Sequence, residues 1–281
     1  MRPLRRVLVP RDFSPPSEAA LGLALRLASG AGAALHLVHA EPLRADPYGR
    51  PAGAASAADR LRERLKETVG GDRAPAPPYD PGGLAVEHAV LRAVAPGPAV
   101  AGYAAEHDLD LVVMGRHGRR GLRRAVLGSV AAEVPRRAPC PVVVTGAGAP
   151  QPAEPAVLVA LDLSPGSGAA VALAARLAEA LGARLDALHV LGGDAPDVAE
   201  ADAREHVEAL VAPVRGRAEV RMRVGRGRPA ERVLTAAADG RPEVLVVGPR
   251  ARSGLDRLLG SVAGRVLREA AGPVAVARAG R

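Results

Sequence analysis

Aromatic residues are nearly absent: the 281-residue chain has no Trp, three Tyr and a single Phe, Phe13. Rings on which bases could stack are too few for reading single-stranded nucleic acid. Any core must be assembled from Ala, Val and Leu, which suits helices packed closely on a parallel sheet. Cysteine occurs once, at Cys140, so no intramolecular disulfide and no cysteine-based metal site can form within one chain. That usage fits a reducing, cytoplasmic setting. Lysine also occurs once, at Lys66, and no G-x4-G-K-[ST] motif is present, which excludes a Walker-type phosphate site. No apolar run approaches the ~20 residues of a membrane span. The run after the N-terminal arginines is broken at once by Arg11 and Asp12, too short for a signal-peptide core, so no membrane association is expected. Negative charge is the scarcer sign, with 30 Asp and Glu against 38 Lys and Arg, a net charge of +8. The excess is arginine, in a chain also heavy in Ala, Gly and Pro, which reads as overall composition bias. It favours anionic ligands and non-specific polyanion contact. With no zinc-ligand spacing, basic-region heptads or RNP-type motif in the sequence, no specific nucleic-acid partner is expected.

Glycine, by contrast, is abundant, and in residues 111–130, LVVMGRHGRRGLRRAVLGSV, it is arranged. Leu111, Val112, Val113 and Met114 are a continuous apolar run, the pattern of a strand buried on both faces. Gly115, Gly118, Gly121 and Gly128 let a bulky anion approach the main chain. The helix after Gly128 offers free N–H groups and partial positive charge, and the Ser129 hydroxyl adds a donor. Arg116, Arg119, Arg120, Arg123 and Arg124 surround the loop with cations. The whole is laid out as a phosphate cradle.

The order of elements is that of an α/β protein. Residues 7–9 form a first strand ending at Pro10-Arg11-Asp12. A helix over 16–29 carries Leu21, Leu25 and Ala28 on one stripe and is stopped by Gly30 and Gly32, and a second strand runs through Leu35, Leu37 and Val38 to His39-Ala40. A proline- and glycine-rich excursion over 41–83 holds a helical pattern at 57–69. A strand over 84–91, a helix over 99–107, the 111–114 strand, the loop, a helix to 137 and a strand over 141–144 complete the unit.

After a Gly, Ala and Pro linker at 146–155 the same order begins again. VLVPRDFSPPSEAALGLALRLA (7–28) matches VLVALDLSPGSGAAVALAARLA (157–178), and LHLVHAE (35–41) matches LDALHVL (185–191). DLVVMGRHGRRGLRRAVLGSVA (110–131) matches EVLVVGPRARSGLDRLLGSVA (243–263), and PCPVVV (139–144) matches GPVAVA (272–277). Four matched segments in one order define an internal repeat. Each half alternates strands and helices, so the expected fold is α/β, with two tandem, doubly wound, five-stranded parallel sheets. Ligands of such sheets sit at the carboxyl ends of the strands.

The spacing Gly115-x2-Gly118-x9-Gly128-Ser129 resembles the fingerprint G-x2-G-x9-G-[ST] of the universal stress protein family, in its ATP-binding class. The resemblance covers nearly the whole chain, as domains at 1–147 and 155–281, and implies a Rossmann-like, adenine nucleotide alpha hydrolase-like fold. It places Pro10 and Asp12 near adenine and ribose, and Ala40 in the adenine pocket. Met114 and Gly115 would flank base and ribose, while Gly118, Gly128, Ser129 and Val130 would hold the phosphates. It thereby implies ATP as the bound cofactor, with Mg²⁺ able to accompany the phosphates. From the residues alone, Asp12 can accept from ribose hydroxyls or cap the helix that begins near Pro15 and Pro16, and both readings stand.

The second half departs from the fingerprint. Asp162 and Gly248 persist, but Ala251 replaces the second glycine, eight residues rather than nine precede Gly260-Ser261, and Ala160 and Leu161 stand where the first half has Pro10 and Arg11. The first domain is expected to bind nucleotide and the second weakly or not at all. The alternative is that Gly254 takes over and both sites work.

Catalytic candidates are sparse. His117 lies in the loop, where it could contact a phosphate or stand exposed with no function, His39 and His189 occupy matching strand ends with a structural or pocket-lining role, and His36, His88, His107 and His206 are scattered surface or half-buried positions. No Ser/His/Asp order and no paired carboxylates can be assembled, so any ATP hydrolysis is expected to be slow. Two function classes follow: a nucleotide-responsive stress or signalling module, or a nucleotide-independent dimerisation scaffold of the same fold. An adenylating enzyme of the related hydrolase group is a weaker third, for which no acceptor site can be located. The last strands, 142–144 and 274–276, are edges that invite pairing. The resemblance implies that they join the halves as an intrachain pseudo-dimer, with homodimerisation left open.

Overall fold

The computed structural model describes residues 2–42, 63, 83–118, 127–148, 154–248 and 260–278. Apart from Glu63, the helix expected over 57–69 lies outside the described residues. The first half runs β1 (Arg6–Pro10), α1 (Pro15–Ala31), β2 (Ala34–Pro42), β3 (Val86–Ala93), α2 (Pro96–Glu106), β4 (Leu111–Gly115), α3 (Ser129–Arg137) and β5 (Val142–Thr145). The second repeats it with β6 (Ala156–Leu161), α4 (Ser167–Leu181), β7 (Arg184–Leu191), α5 (Val198–Val211), β8 (Val220–Arg226), α6 (Pro229–Gly240), β9 (Val244–Val247), α7 (Ser261–Glu269) and β10 (Val274–Val276).

The other expected elements are present, with boundaries that local chemistry explains. Both α1 and α2 start earlier than their apolar stripes suggest, because Pro15 and Pro96 stand in the first turn, where a missing N–H costs nothing. Gly32 and Gly182 end α1 and α4 at φ 62 and 58, left-handed angles that a glycine adopts without strain.

The strand order is β3-β2-β1-β4-β5-β10-β9-β6-β7-β8 in one ten-stranded sheet. Within each half all pairings are parallel. The two halves join where β5 and β10 pair antiparallel, with Val274 opposite Val144, Ala275 opposite Val143 and Val276 opposite Val142. Unpaired N–H and C=O groups on each last strand are thus satisfied by the other.

The hydrophobic core divides by sheet face rather than by half. One face carries α1, α4 and α5, with Leu21, Leu25, Leu27, Leu177 and Val207 buried together. The other carries α2, α3, α6 and α7, with Val100, Val134, Val266 and Leu267 among its buried residues. Contact between halves is close on the first face. A Cβ on Gly30 of α1 would overlap the carbonyl oxygen of Ala180 in α4, so glycine lets the two backbones meet.

Nearby, Arg26 grips the Glu243 carboxylate with both ends of its fork, Nη1 to Oε2 at 2.9 Å and Nη2 to Oε1 at 2.6 Å. Its repeat partner, Arg176, lies in the field of Asp110, which is one methylene shorter than Glu243. The Asp110 carboxylate instead accepts the main-chain N–H groups of Arg5 and Arg6, at 2.9 and 3.0 Å. A symmetric repeat has therefore diverged into one formed bridge and one half-buried arginine whose Nε and Nη2, themselves buried, have no hydrogen-bond partner.

Candidate functional site

In the first half β1 and β4 are neighbours, and their connections leave in opposite directions: β1 leads through α1 to β2, and β4 through the loop and α3 to β5. The crevice at the carboxyl ends of β1 and β4 is the switch point of the doubly wound sheet. Pro10 ends β1, Ala40 lies near the end of β2, and Met114 and Gly115 end β4. Gly128, Ser129 and Val130 stand at the start of α3. All nine residues singled out from the sequence are thus carried to one end of one half-sheet. Met114 is buried in the core, whereas Ala40 and Val130 are half-buried.

Asp12 is fixed by its own turn. Its Oδ1 accepts the Ser14 N–H at 3.1 Å and the Ser14 hydroxyl at 2.6 Å, an Asx-type turn. The N-cap of α1 is Ser14 itself, which makes no side-chain capping bond. The carboxylate therefore organises the entry to the helix without capping it. The turn forces Phe13 to φ 61, unusual for a residue with a Cβ. Its ring lies 5.7 Å from His39 in a stacked arrangement, under the Arg11 guanidinium at 5.5 Å. His39 donates from Nδ1 to the Arg11 carbonyl at 2.6 Å, so its role is to hold the β1 end.

The β4 loop closes onto this turn. A Cβ on Gly115 would lie 2.8–2.9 Å from Pro16 and Ser17 at the start of α1, and one on Gly118 would lie 2.6 Å from Asp12 Oδ2. Gly128 donates to the Arg116 carbonyl at 2.9 Å, which ties the far end of the loop to its beginning. Asp12, Gly118 and the start of α3 therefore lie together at this strand end. Here the first amides of α3 have no intrahelical acceptor. The N-cap, Gly128, has no side chain to cover them, Ser129 is exposed, and α3 carries no acidic residue in its first turn. The dipole end is left positive for an anion.

His117 is half-buried, and burial first, with the Arg116 charge second, lowers its pKa. It is therefore neutral at pH 7 and adds no charge to the cradle. Arg116 is not a cation of the loop, contrary to expectation. It is buried, its main-chain N–H bonds the Thr145 carbonyl at 2.7 Å, and its guanidinium reaches the Arg268 and Gly272 carbonyls at 3.4 Å each. The Arg268 carbonyl in the last turn of α7 and the Gly272 carbonyl beyond it draw it across the seam. Arg119, Arg120, Gly121, Arg123 and Arg124 lie outside the described residues.

The second half copies the first at its strand end. Asp162 Oδ1 accepts the Ser164 N–H and the Ser167 hydroxyl, both at 3.0 Å, Leu163 takes φ 57, and His189 donates from Nδ1 to the Leu161 carbonyl at 2.9 Å. The glycine packing differs. The nearest atom to a Cβ on Gly248 is 3.7 Å away, so its helix sits less tightly on the strand end than α1 sits on Gly115. Ala251 and Gly254 lie outside the described residues.

One cluster escaped the sequence reading. His36 is not a surface or half-exposed residue. It is 2% exposed and meets Glu87, His107 and Tyr103 at the opposite end of the sheet. Burial lowers its pKa, against the Glu87 charge that raises it, with smaller lowering from His107 and Arg6. The signal present in the sequence was the four-residue spacing of Tyr103 and His107 on one helix. Their meeting with His36 depends on β2 lying under α2.

A doubly wound α/β half with a glycine loop and bare helix N-terminus at its switch point, duplicated within one chain, defines a Rossmann-like class. The sequence profile of the universal stress protein family matches residues 3–146 and again 155–278, and the chain belongs to that family. Universal stress protein Rv2005c of Mycobacterium tuberculosis (strain H37Rv) is 35% identical over 187 residues, which are 61% of this chain and 63% of the relative. The chain therefore spans just under two thirds of that relative's length. Universal stress protein MJ0531 of Methanocaldococcus jannaschii is 29% identical over 143 residues, 50% of this chain and 81% of the relative. Among solved structures, a universal stress protein from Archaeoglobus fulgidus superposes with a TM-score of 0.71 at 20% identity, covering 98% of this chain and 96% of that one; this likeness is one of fold. No helix among the described residues is long and apolar enough to cross a membrane.

Proposed function

We propose that the protein is an ATP-binding stress or signalling module whose nucleotide occupies the first half, in a domain spanning residues 1–147, with the second domain, 155–281, binding weakly or not at all. The observation that carries this reading is the convergence at Gly118, where a single added Cβ would fill the space beside Asp12 Oδ2. The amides of Gly118, Ser129 and Val130 would hold the phosphates, Gly128, whose own amide is committed to the Arg116 carbonyl, would let them approach by having no side chain, and Asp12 would take the ribose hydroxyls. Pro10, Ala40, Met114 and Gly115 would line the base and ribose. Mg²⁺ would be held mainly by the phosphates themselves.

No general base is assigned, so hydrolysis is slow at most. The output is binding free energy that stabilises one conformation or assembly. The test is to denature the purified protein, identify released nucleotide, and titrate ATP into wild type and Gly118→Ala. One equivalent of ATP is expected for wild type. In Gly118→Ala the affinity should fall at least ~10-fold, or ~1.4 kcal/mol, with the melting temperature of the nucleotide-free protein little changed. No bound nucleotide and no binding heat would leave the scaffold reading; two equivalents would place a working site in the second half.

A further inference from the structure

We infer that His36, Glu87 and His107 form a site for a borderline divalent transition-metal ion, Zn²⁺ by chemistry, at the end of the first half-sheet opposite the nucleotide cradle. The site is built from three elements. His36 of β2 stands directly opposite Glu87 of β3 in the parallel register, and residues so paired project to the same face. On that face lies the end of α2, whose C-cap residue is His107. One ligand atom from each of the three lies within 4.8 Å of the others, the one such group among the described residues.

His36 Nδ1 and Glu87 Oε2 are 3.5 Å apart. Ligands at ~2.0–2.1 Å around a tetrahedral ion stand about 3.3 Å from one another, so this pair is already at coordination spacing and His107 has a short distance to close. Two imidazoles and one carboxylate are a donor set that suits Zn²⁺ and disfavours the all-oxygen preference of Mg²⁺ or Ca²⁺.

The surroundings hold the ligands in place. Tyr103 stacks on His107 with ring centroids 4.0 Å apart, and its hydroxyl lies 3.1 Å from His36 Nδ1. The Arg6 guanidinium is committed to the His107 carbonyl at 2.7 Å. His36 Nε2 is buried with no hydrogen-bond partner, while Nδ1 is the nitrogen that Glu87 and the Tyr103 hydroxyl approach, so an ion taken by Nδ1 would replace the Tyr103 contact. A bound ion would clamp the outermost strand, β3, and the end of α2 to β2.

The test uses the full chain, stripped with a chelator and kept free of nucleotide. Titration with Co²⁺ should give one equivalent with the visible d–d absorption of a low-coordinate site. Zn²⁺ should displace it and raise the melting temperature, and Mg²⁺ should do neither. His107→Gln and Glu87→Gln, both at accessible positions, should fold as wild type by circular dichroism. His107→Gln should lower Zn²⁺ affinity by more than ~100-fold, Glu87→Gln should weaken it, and His206→Gln on α5 should not change it. Gly118→Ala should bind Zn²⁺ as wild type does, which separates this site from the nucleotide reading. Absence of Co²⁺ absorption in wild type, or undiminished Zn²⁺ binding in folded His107→Gln, would overturn the proposal.

Discussion

Asp162 and Arg26 show how single side chains carry stability here. Burial is the largest influence on the Asp162 pKa and pushes it up, but hydrogen bonds from Ser164 and Ser167 together outweigh it, and the net shift is downward. The folded state therefore prefers the carboxylate, and as pH falls the unfolded chain takes the proton first. The stabilisation is complete above the unfolded value of ~3.9 and disappears as pH falls through the lower folded value. Asp162→Asn keeps an oxygen acceptor and loses the charge. It should unfold at lower urea than wild type at pH 7, with the gap narrowing below about pH 4. At Arg26 the concern is the partner left behind. Glu243 is 5% exposed, and a buried carboxylate without its guanidinium is costly. Arg26→Ala should lose about 3 kcal/mol in urea unfolding, while removing both partners, Arg26→Ala with Glu243→Ala, should cost less than the single change. An equal or larger loss in the double variant would contradict the account of an uncompensated charge.

Among the helices, two glycines make opposite predictions. Gly102 is exposed within α2, with nothing within 4 Å of an added Cβ. Gly102→Ala should therefore gain about 0.5–1 kcal/mol from helix propensity alone. Gly30→Ala has the same intrinsic gain, but its methyl would overlap the Ala180 carbonyl of α4. Backbone cannot rotate aside as a side chain can, so α1 and α4 must separate, and a net loss of about 1–3 kcal/mol is expected from thermal or urea unfolding. The contrast marks what was legible in the sequence. The alternation of strands and helices was readable because each buried strand is a continuous apolar run and the repeat supplies every element twice. That Asp12, Gly118, Gly128 and Ser129 meet at one strand end was readable because β1, β4 and α3 converge at a switch point whose position follows from topology. Gly30 looked like a helix stop, Arg116 like a phosphate cation and His36 like a scattered histidine, because their partners lie at Ala180, at Arg268 and Gly272, and at Glu87 and His107. Those contacts are set by how elements cross, which local periodicity does not encode.

For the molecule as a whole, the decisive feature is that its seam is made of the same material as its halves. Val143 and Ala275 pair across it and face one core, while Val142, Val144, Val274 and Val276 face the other, so neither core closes without strands from both halves. Two domains linked by a surface contact would unfold separately; a shared ladder and shared cores should make unfolding a single transition. The composition offers a clean pair of probes, because Tyr48, Tyr79 and Tyr103 all lie in the first half and the chain has no Trp. Tyrosine fluorescence therefore reports the first half, and far-ultraviolet circular dichroism reports both. Urea midpoints from the two probes should coincide. The same coupling makes a prediction about the proposed ligand: ATP held in the first-half cradle at 100 times its dissociation constant should add about 2.7 kcal/mol to the stability of the whole chain. Both midpoints should then move together, including the part of the circular dichroism signal that arises from the second half. If ATP shifted only the fluorescence transition, the halves would be folding independently, and a nucleotide bound in one could not stabilise the other.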